Sequence, residues 1–310
     1  MAEVATSART SGTSSAMPDQ LLVVVDPVAR RTDGESVRIA KDVLSAGASS
    51  TKVCLPDGPE EFARALRRRG SRRPVVVGDD RALLRAVGLL HRHRELAACA
   101  LSVVPVGPVL GLTRSLGLPS GAVAAARAVL DGAERRLDLL VDDSDGVVLG
   151  AVGIPPVAAE EGQGGDGTGP GGEAGPGGSR SASASARPWL RTCQSLVRTL
   201  ASSRPVRAAA ATGAAGPSRL RVEVDGVTLV DLDQPVEGVS VMPGTGGVAE
   251  VEVRPLSVGA EAAPLTARGR TVTVSGAHFR YRADAVVSGP VGTRTWVVRE
   301  GAWGLTLPAG

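Results

Sequence analysis

Hydrophobic positions along this chain follow two different periods. Leu21 to Val25 form an unbroken apolar run, the pattern of a strand covered on both faces. After it, Val37, Ile39, Ala40, Val43 and Leu44 recur at helical spacing. The same alternation continues: "TKVCLP", "PVVVGDD" and "ALSVVPVGP" read as strands. "GPEEFARALRRRG", "RALLRAVGLLHRHRELA" and "SGAVAAARAVLDGAER" read as helices. The helix opening at Pro59 has Glu60 and Glu61 in its first turn and arginines at its end, the charge order that a helix dipole favours. Strands alternating with helices predict a parallel α/β domain over residues 20–137.

From Asp138 the period becomes two. "RLDLLVDDSDGVVLGAVGI" reads as a hairpin turning at Asp145-Gly146, and Asp225-Gly226 marks another turn. "RLRVEVDGVTLVDL", "AEVEVRPL", "RTVTVSG" and "RTWVVREGAWGLTLP" alternate apolar and polar residues. They predict an antiparallel, sandwich-like β-rich domain over residues 138–310. Trp296 and Trp303 fall in this pattern as core residues. Two segments lack periodicity and are expected to be disordered: the Ser/Thr/Ala-rich tail, residues 1–19, and a Gly/Pro/Ala/Ser insertion, residues 155–187. After the insertion, "RPWLRTCQSLVRTLASS" reads as a basic amphipathic helix, with Trp189, Cys193, Leu196 and Leu200 on one stripe.

Composition narrows the function classes. Aromatic residues make up 2% of the chain, which leaves no stacking platform for single-stranded nucleic acid, so no nucleic-acid partner is expected. The three cysteines, Cys54, Cys99 and Cys193, are odd in number, widely spaced and form no CxxC pair, so neither a zinc knuckle nor a disulfide framework is expected. His91 and His93 stand two apart on a predicted helix and point in different directions, a poor metal pair. No basic region followed by an apolar stretch opens the sequence, and no run of 18 apolar residues occurs. The expectation is therefore a cytoplasmic protein with at most peripheral membrane contact. The arginines between Arg64 and Arg73 read either as a solvated helix end or as contacts to anionic lipid headgroups.

Local stretches, taken in order, resemble the bacterial diacylglycerol kinase family. "VVVDPVARR" is similar to that family's opening strand and Asn-Pro turn, and "VVVGDDRALLRAVGLL" lies where the family has its phosphate loop. "VVPVGPVLGLTRSLGLP" resembles its third signature, ending in the same Ser-Leu-Gly-Leu-Pro. "RRLDLL…GVVLGAVGI" and "LRVEVDG" are similar to the passage into its second domain. The resemblance implies a nucleotide-kinase-like α/β domain followed by the β-rich domain. It also implies ATP with Mg, and phosphorylation of a lipid hydroxyl. The expected partners are a lipid or membrane surface and, as a further option, a second copy of the chain.

Residue by residue, that site is altered. The family's Gly-Gly-Asp-Gly-Thr loop falls on Val77, Gly78, Asp79, Asp80 and Arg81, where only Gly78 and Asp79 match. The Asn of the opening turn is Asp26, with Pro27 retained; Gly107 matches in the third signature, while Pro108, Leu110 and Gly111 replace its Thr, Asn and Asp. The general base of an Asp-Gly-Glu aligns on Ser288, Gly289 and Pro290, and proline accepts no proton. The resemblance thus implies cofactor contacts at Asp26, Pro27, Gly78, Asp79, Asp80, Arg81 and Gly107, with Asp79 the one candidate catalytic residue and no metal ligand identified. Three readings stay open. One is a pseudoenzyme that binds nucleotide, lipid or a partner; another is an active lipid kinase rebuilt on Asp79 and Arg81; the third is a purely structural or interaction protein that binds no small molecule. Locally, Asp79 or Asp80 also suits the N-cap of a strand-to-helix turn. The intact Gly164-Gly165-Asp166-Gly167-Thr168 lies inside the insertion, with no strand before it or helix after it. It reads as a product of composition.

Overall fold

The computed structural model describes residues 20–156, 217–256 and 263–309. The tail, the Gly164–Thr168 run and the predicted helix around Trp189 and Cys193 lie outside the described residues. The first half runs β1 (Gln20–Val25), α1 (Pro27–Thr32), α2 (Gly34–Gly47), β2 (Ser50–Cys54), α3 (Pro59–Arg67), β3 (Arg73–Gly78) and α4 (Asp80–Arg92). It continues with β4 (Ala100–Pro105), α5 (Gly111–Ser115), α6 (Ala122–Asp131) and β5 (Ala133–Asp142). The second half adds β6 (Val147–Val148), β7 (Val152–Ile154), β8 (Ser218–Val224), β9 (Val227–Val230) and β10 (Pro235–Pro243). The chain closes with β11 (Ala249–Pro255), β12 (Leu265–Gly269), β13 (Thr271–Ala283) and β14 (Val286–Leu307).

Strands β2, β1, β3 and β4 lie side by side in that order, every pair parallel. Both faces are covered, which is why their sequences are unbroken apolar runs. Leu21, Val23, Val25, Val75, Val77 and Val104 pack with Ala29, Leu44 and Val129 of α1, α2 and α6. The alternate residues Leu22, Val24, Val76, Leu101 and Val103 pack with Phe62, Leu66, Leu83 and Val87 of α3 and α4. Because β2, β1, β3 and β4 run the same way, Asp26, Asp79 and Val106 all emerge at one edge of the sheet. The loops that follow these strands meet there.

The second half is antiparallel: β13 pairs with β14, β8 and β7, and β10 with β11, β7 and β8. Its alternating residues enclose a core of Val222, Val239, Val251, Val274, Tyr281 and Trp296. Asp145, Asp225 and Gly226 have positive φ at the hairpin turns, as Asp-Gly pairs do. The two halves share strands. β5 starts at Ala133, five residues before the change of period at Asp138, and pairs along β14. The end of β14 pairs parallel with β4, Gly304 against Ala100 and Leu305 against Leu101, and buries Trp303 in the first half's core.

Candidate functional site

The sheet edge after β1, β3 and β4 gathers Asp26, Pro27, Gly78, Asp79, Asp80, Arg81 and Gly107. Asp26 leaves β1 and caps α1, its Oδ1 accepting the Val28 amide at 2.8 Å, with Pro27 at the first helical position. Its Oδ2 accepts from Arg85 Nη1 at 2.6 Å, and Asp26 is only 2% exposed. Arg85 reaches it from one turn into α4 while its guanidinium lies over the Phe62 ring. The carboxylate at the position of the family's Asn is therefore paired.

Asp79 is the N-cap of α4. Its Oδ1 accepts the amides of Arg81 at 3.1 Å and Ala82 at 3.2 Å. Its Oδ2 is buried with no hydrogen-bond partner among the described residues. Burial pushes the Asp79 carboxyl above the ordinary carboxylate range, and the nearby Asp26 charge adds to this. The two capping amides and the Arg81 charge act the other way. Arg81 itself is exposed. Gly78 is tightly enclosed: a Cβ there would lie 2.6 Å from the Ala82 Cβ and 3.0 Å from the Asp26 Cβ. Its lack of a side chain thus lets Asp26 and the first turn of α4 pack against the end of β3. Gly107 adopts φ +134°, and a Cβ there would meet the Asp79 Cβ at 3.0 Å.

Asp80, expected as a cofactor contact, is engaged within the fold. Its side chain turns across to the loop after β4. There Oδ2 accepts the Leu112 amide at 2.8 Å and Oδ1 the Thr113 amide at 2.9 Å. Both Asp80 and Thr113 are buried, so this carboxylate clips the start of α5 to the start of α4. The Asp80 amide in turn donates to Val109 O at 2.9 Å.

Two residues of this region carry no sequence signal of their own. Arg85 is one, although its spacing of four from Arg81 puts it one helical turn along α4. The other is Asp284, at the turn between β13 and β14 with φ 50°. Its carboxylate accepts three amides, from Leu149 at 2.8 Å, Gly150 at 2.7 Å and Ala151 at 2.9 Å. Burial pushes its carboxyl up and the charge of Asp80 adds to that, while the amides oppose it. The hairpin turn thus lies at Asp284-Ala285, and Ser288 to Pro290 belong to the outgoing strand β14.

Across this edge, four amides at the starts of two helices already donate to internal carboxylates: Arg81 and Ala82 to Asp79, Leu112 and Thr113 to Asp80. A phosphate approaching these four amides would have to displace the carboxylates they serve. No group of three or more His, Cys, Asp or Glu side chains able to hold a metal occurs among the described residues. No helix among them is long and apolar enough to cross a membrane.

Solved structures described as diacylglycerol kinases from Bacillus anthracis strain Sterne share this architecture. One has a TM-score of 0.63 at 12% identity, with 94% of this chain and 97% of that chain covered. Another has a TM-score of 0.62 at 11% identity over the same shares. The chain therefore has the fold of these proteins over nearly its whole length. No protein-family profile matches it. No curated protein sequence matches it.

Proposed function

We propose that the chain is a diverged member of the diacylglycerol kinase family that has kept the lipid-kinase scaffold and lost efficient phosphoryl transfer. One observation carries this reading: the amides that a phosphate loop would turn toward an anion are capped by Asp79 and Asp80. Phosphoryl transfer depends almost wholly on positioned phosphates and stabilised charge, so a loop satisfied from within removes the largest contribution. The base is missing as well. In this reading an Asp-Gly pair suits a hairpin turn, the turn here is Asp284-Ala285, and Val286 is taken as the counterpart of the family's Glu. Val286 is 56% exposed and accepts no proton, and neither does Pro290 of the alternative alignment. Loss of a general base costs roughly 10²–10⁴ in rate. The protein is proposed to act as a binding or scaffold protein in the cytoplasm, with a lipid surface or a second copy as partner.

Calorimetry of the purified chain with Mg-ATP, paired with a phosphate-transfer assay on diacylglycerol, tests this. No heat at millimolar ATP and no transfer is the expected result. One observation favours the second reading, an active kinase using Asp79 and Arg81: Asp79 Oδ2 is buried without a partner among the described residues, beside an exposed arginine. Transfer to diacylglycerol that vanishes in Asp79→Ala would establish that reading and overturn the first.

A further inference from the structure

The outer edge of the parallel sheet carries a second cluster, away from the capped carboxylates. Among the described residues β2 pairs with β1 alone, and α3 packs beside it. Between them lies a groove of about 300 Å³, at the lower end of the roughly 300–1,000 Å³ of small-molecule sites. Lys52 and Cys54, two apart on β2, share one side of it. Arg64 and Arg68, one helical turn apart at the end of α3, form the other, and Leu55 adds an apolar wall.

The charge balance here differs from that of the surrounding arginines. Arg30 is paired with Asp57 at 2.6 Å, Arg38 with Glu35 at 2.6 Å and Arg69 with Glu95 at 2.9 Å. Lys52, Arg64 and Arg68 have no carboxylate within ion-pair distance among the described residues. The one acid lining the groove, Glu61, accepts the Asp57 amide at 3.0 Å. Three cations therefore converge on one concave surface without a partner, and two of them are guanidinium forks suited to phosphate oxygens.

We propose that this groove binds a phosphate-bearing anion, its phosphate held by Arg64 and Arg68 with Lys52 opposite, and its organic body lying against Leu55 and Cys54. A soluble phosphomonoester and a phospholipid headgroup present the same chemistry. The groove lies outside the Asp79–Asp80 edge, so its test stands apart from that of ATP binding.

Cys54 lines the groove and reports on its occupancy. The full chain is alkylated with iodoacetamide and the labelled peptides are quantified, with Cys99 as the reference in the same sample. Glycerol 3-phosphate is the soluble probe, and phosphatidylcholine vesicles with and without phosphatidylglycerol form the lipid arm. The expected result is slower labelling of Cys54, with Cys99 unchanged, in at least one arm. Protection by glycerol 3-phosphate assigns a soluble ester; protection only by the anionic vesicles assigns a headgroup. R64A/R68A should weaken the protecting affinity about a hundredfold, since removing one charge-assisted hydrogen bond weakens binding roughly tenfold. R127A/R135A removes the same charge from exposed positions elsewhere and should leave it unchanged. K52A checks the opposite wall independently. Protection in neither arm, or protection that R64A/R68A leaves intact, overturns the proposal.

Discussion

The charged groups at the inner edge of the parallel sheet and those at its outer edge are treated in opposite ways. After β1 and β3, Asp26, Asp79 and Asp80 are at most 3% exposed, and each accepts backbone amides. Arg85 adds an ion pair to Asp26. At the outer edge, Lys52, Arg64 and Arg68 are exposed and have no carboxylate within ion-pair distance among the described residues. A buried carboxylate without donors is costly, and apart from Asp79 Oδ2 the inner edge is satisfied within the fold, whereas water can solvate an outer guanidinium. The inner edge is thus where the fold is stabilised, and the outer edge is where a ligand would gain most. If so, substitutions at the two edges separate stability from binding.

The largest expected effect is at Asp80. Asp80→Ala leaves the Leu112 and Thr113 amides without their acceptor, next to a fully buried Thr113. Losing two charge-assisted hydrogen bonds in a buried setting should cost about 2–4 kcal/mol, read as a lower urea midpoint. Asp80→Asn, which keeps one accepting oxygen, should fall between that variant and the parent. A cost below about 0.5 kcal/mol, the range of ordinary surface changes, would mean that Asp80 is not the clip described here, and the comparison would fail at its strongest point.

How much of this is legible in the sequence depends on distance along the chain. The α2 boundaries follow from local chemistry: Asp33 accepts the Ser36 amide at 3.0 Å, and the helix ends at Gly47. The Asp145-Gly146 and Asp225-Gly226 turns are visible for the same reason, as is Asp79's suitability as an N-cap. What is not legible is held by remote partners: Arg85 reaches Asp26 across 59 positions, and Asp80 reaches Thr113 across 33. Periodicity describes one element at a time, so it gives no hint of Asp284 serving the amides of residues 149–151, or of β14 returning to β4. The turn at Asp284-Ala285 carries no turn signature because it lacks glycine, although its aspartate takes positive φ as Asp145 and Asp225 do.

A smaller effect is expected at Asp79, and its sign depends on pH. Asp79→Ala removes the α4 cap and should cost about 1 kcal/mol. Asp79→Asn keeps the cap, because asparagine accepts the same amides, and removes the charge that burial disfavours. A carboxyl raised in the folded state binds its proton more tightly there than in the unfolded chain. Its favourable contribution is full below the ordinary value of 3.8 and is lost as pH rises through the folded value. Stability of Asp79→Asn relative to the parent should therefore improve from pH 4 toward pH 7, measured by paired denaturant titrations. A difference that is flat or falls with pH would show that Oδ2 finds a donor in solution, and would weaken the contrast between the edges.

The smallest effect is expected at the outer edge, and it sharpens the contrast most. Two contributions oppose each other when Arg64 and Arg68 become alanine. Relieving two like charges one turn apart is worth roughly 0.2–0.5 kcal/mol, while losing cations at a helix C-terminus costs roughly 0.3–1 kcal/mol. Both groups are exposed, so salt screens both contributions and the net change in R64A/R68A should stay within about 0.5 kcal/mol of the parent. Equilibrium unfolding at low and high salt measures it. A loss above about 1 kcal/mol would mean that the arginine stems pack as structural members of α3, which would remove the grounds for treating them as ligand groups. A stability left in place while anion protection of Cys54 disappears is the signature of residues held for binding, because no ion pair among the described residues requires these three cations to meet there.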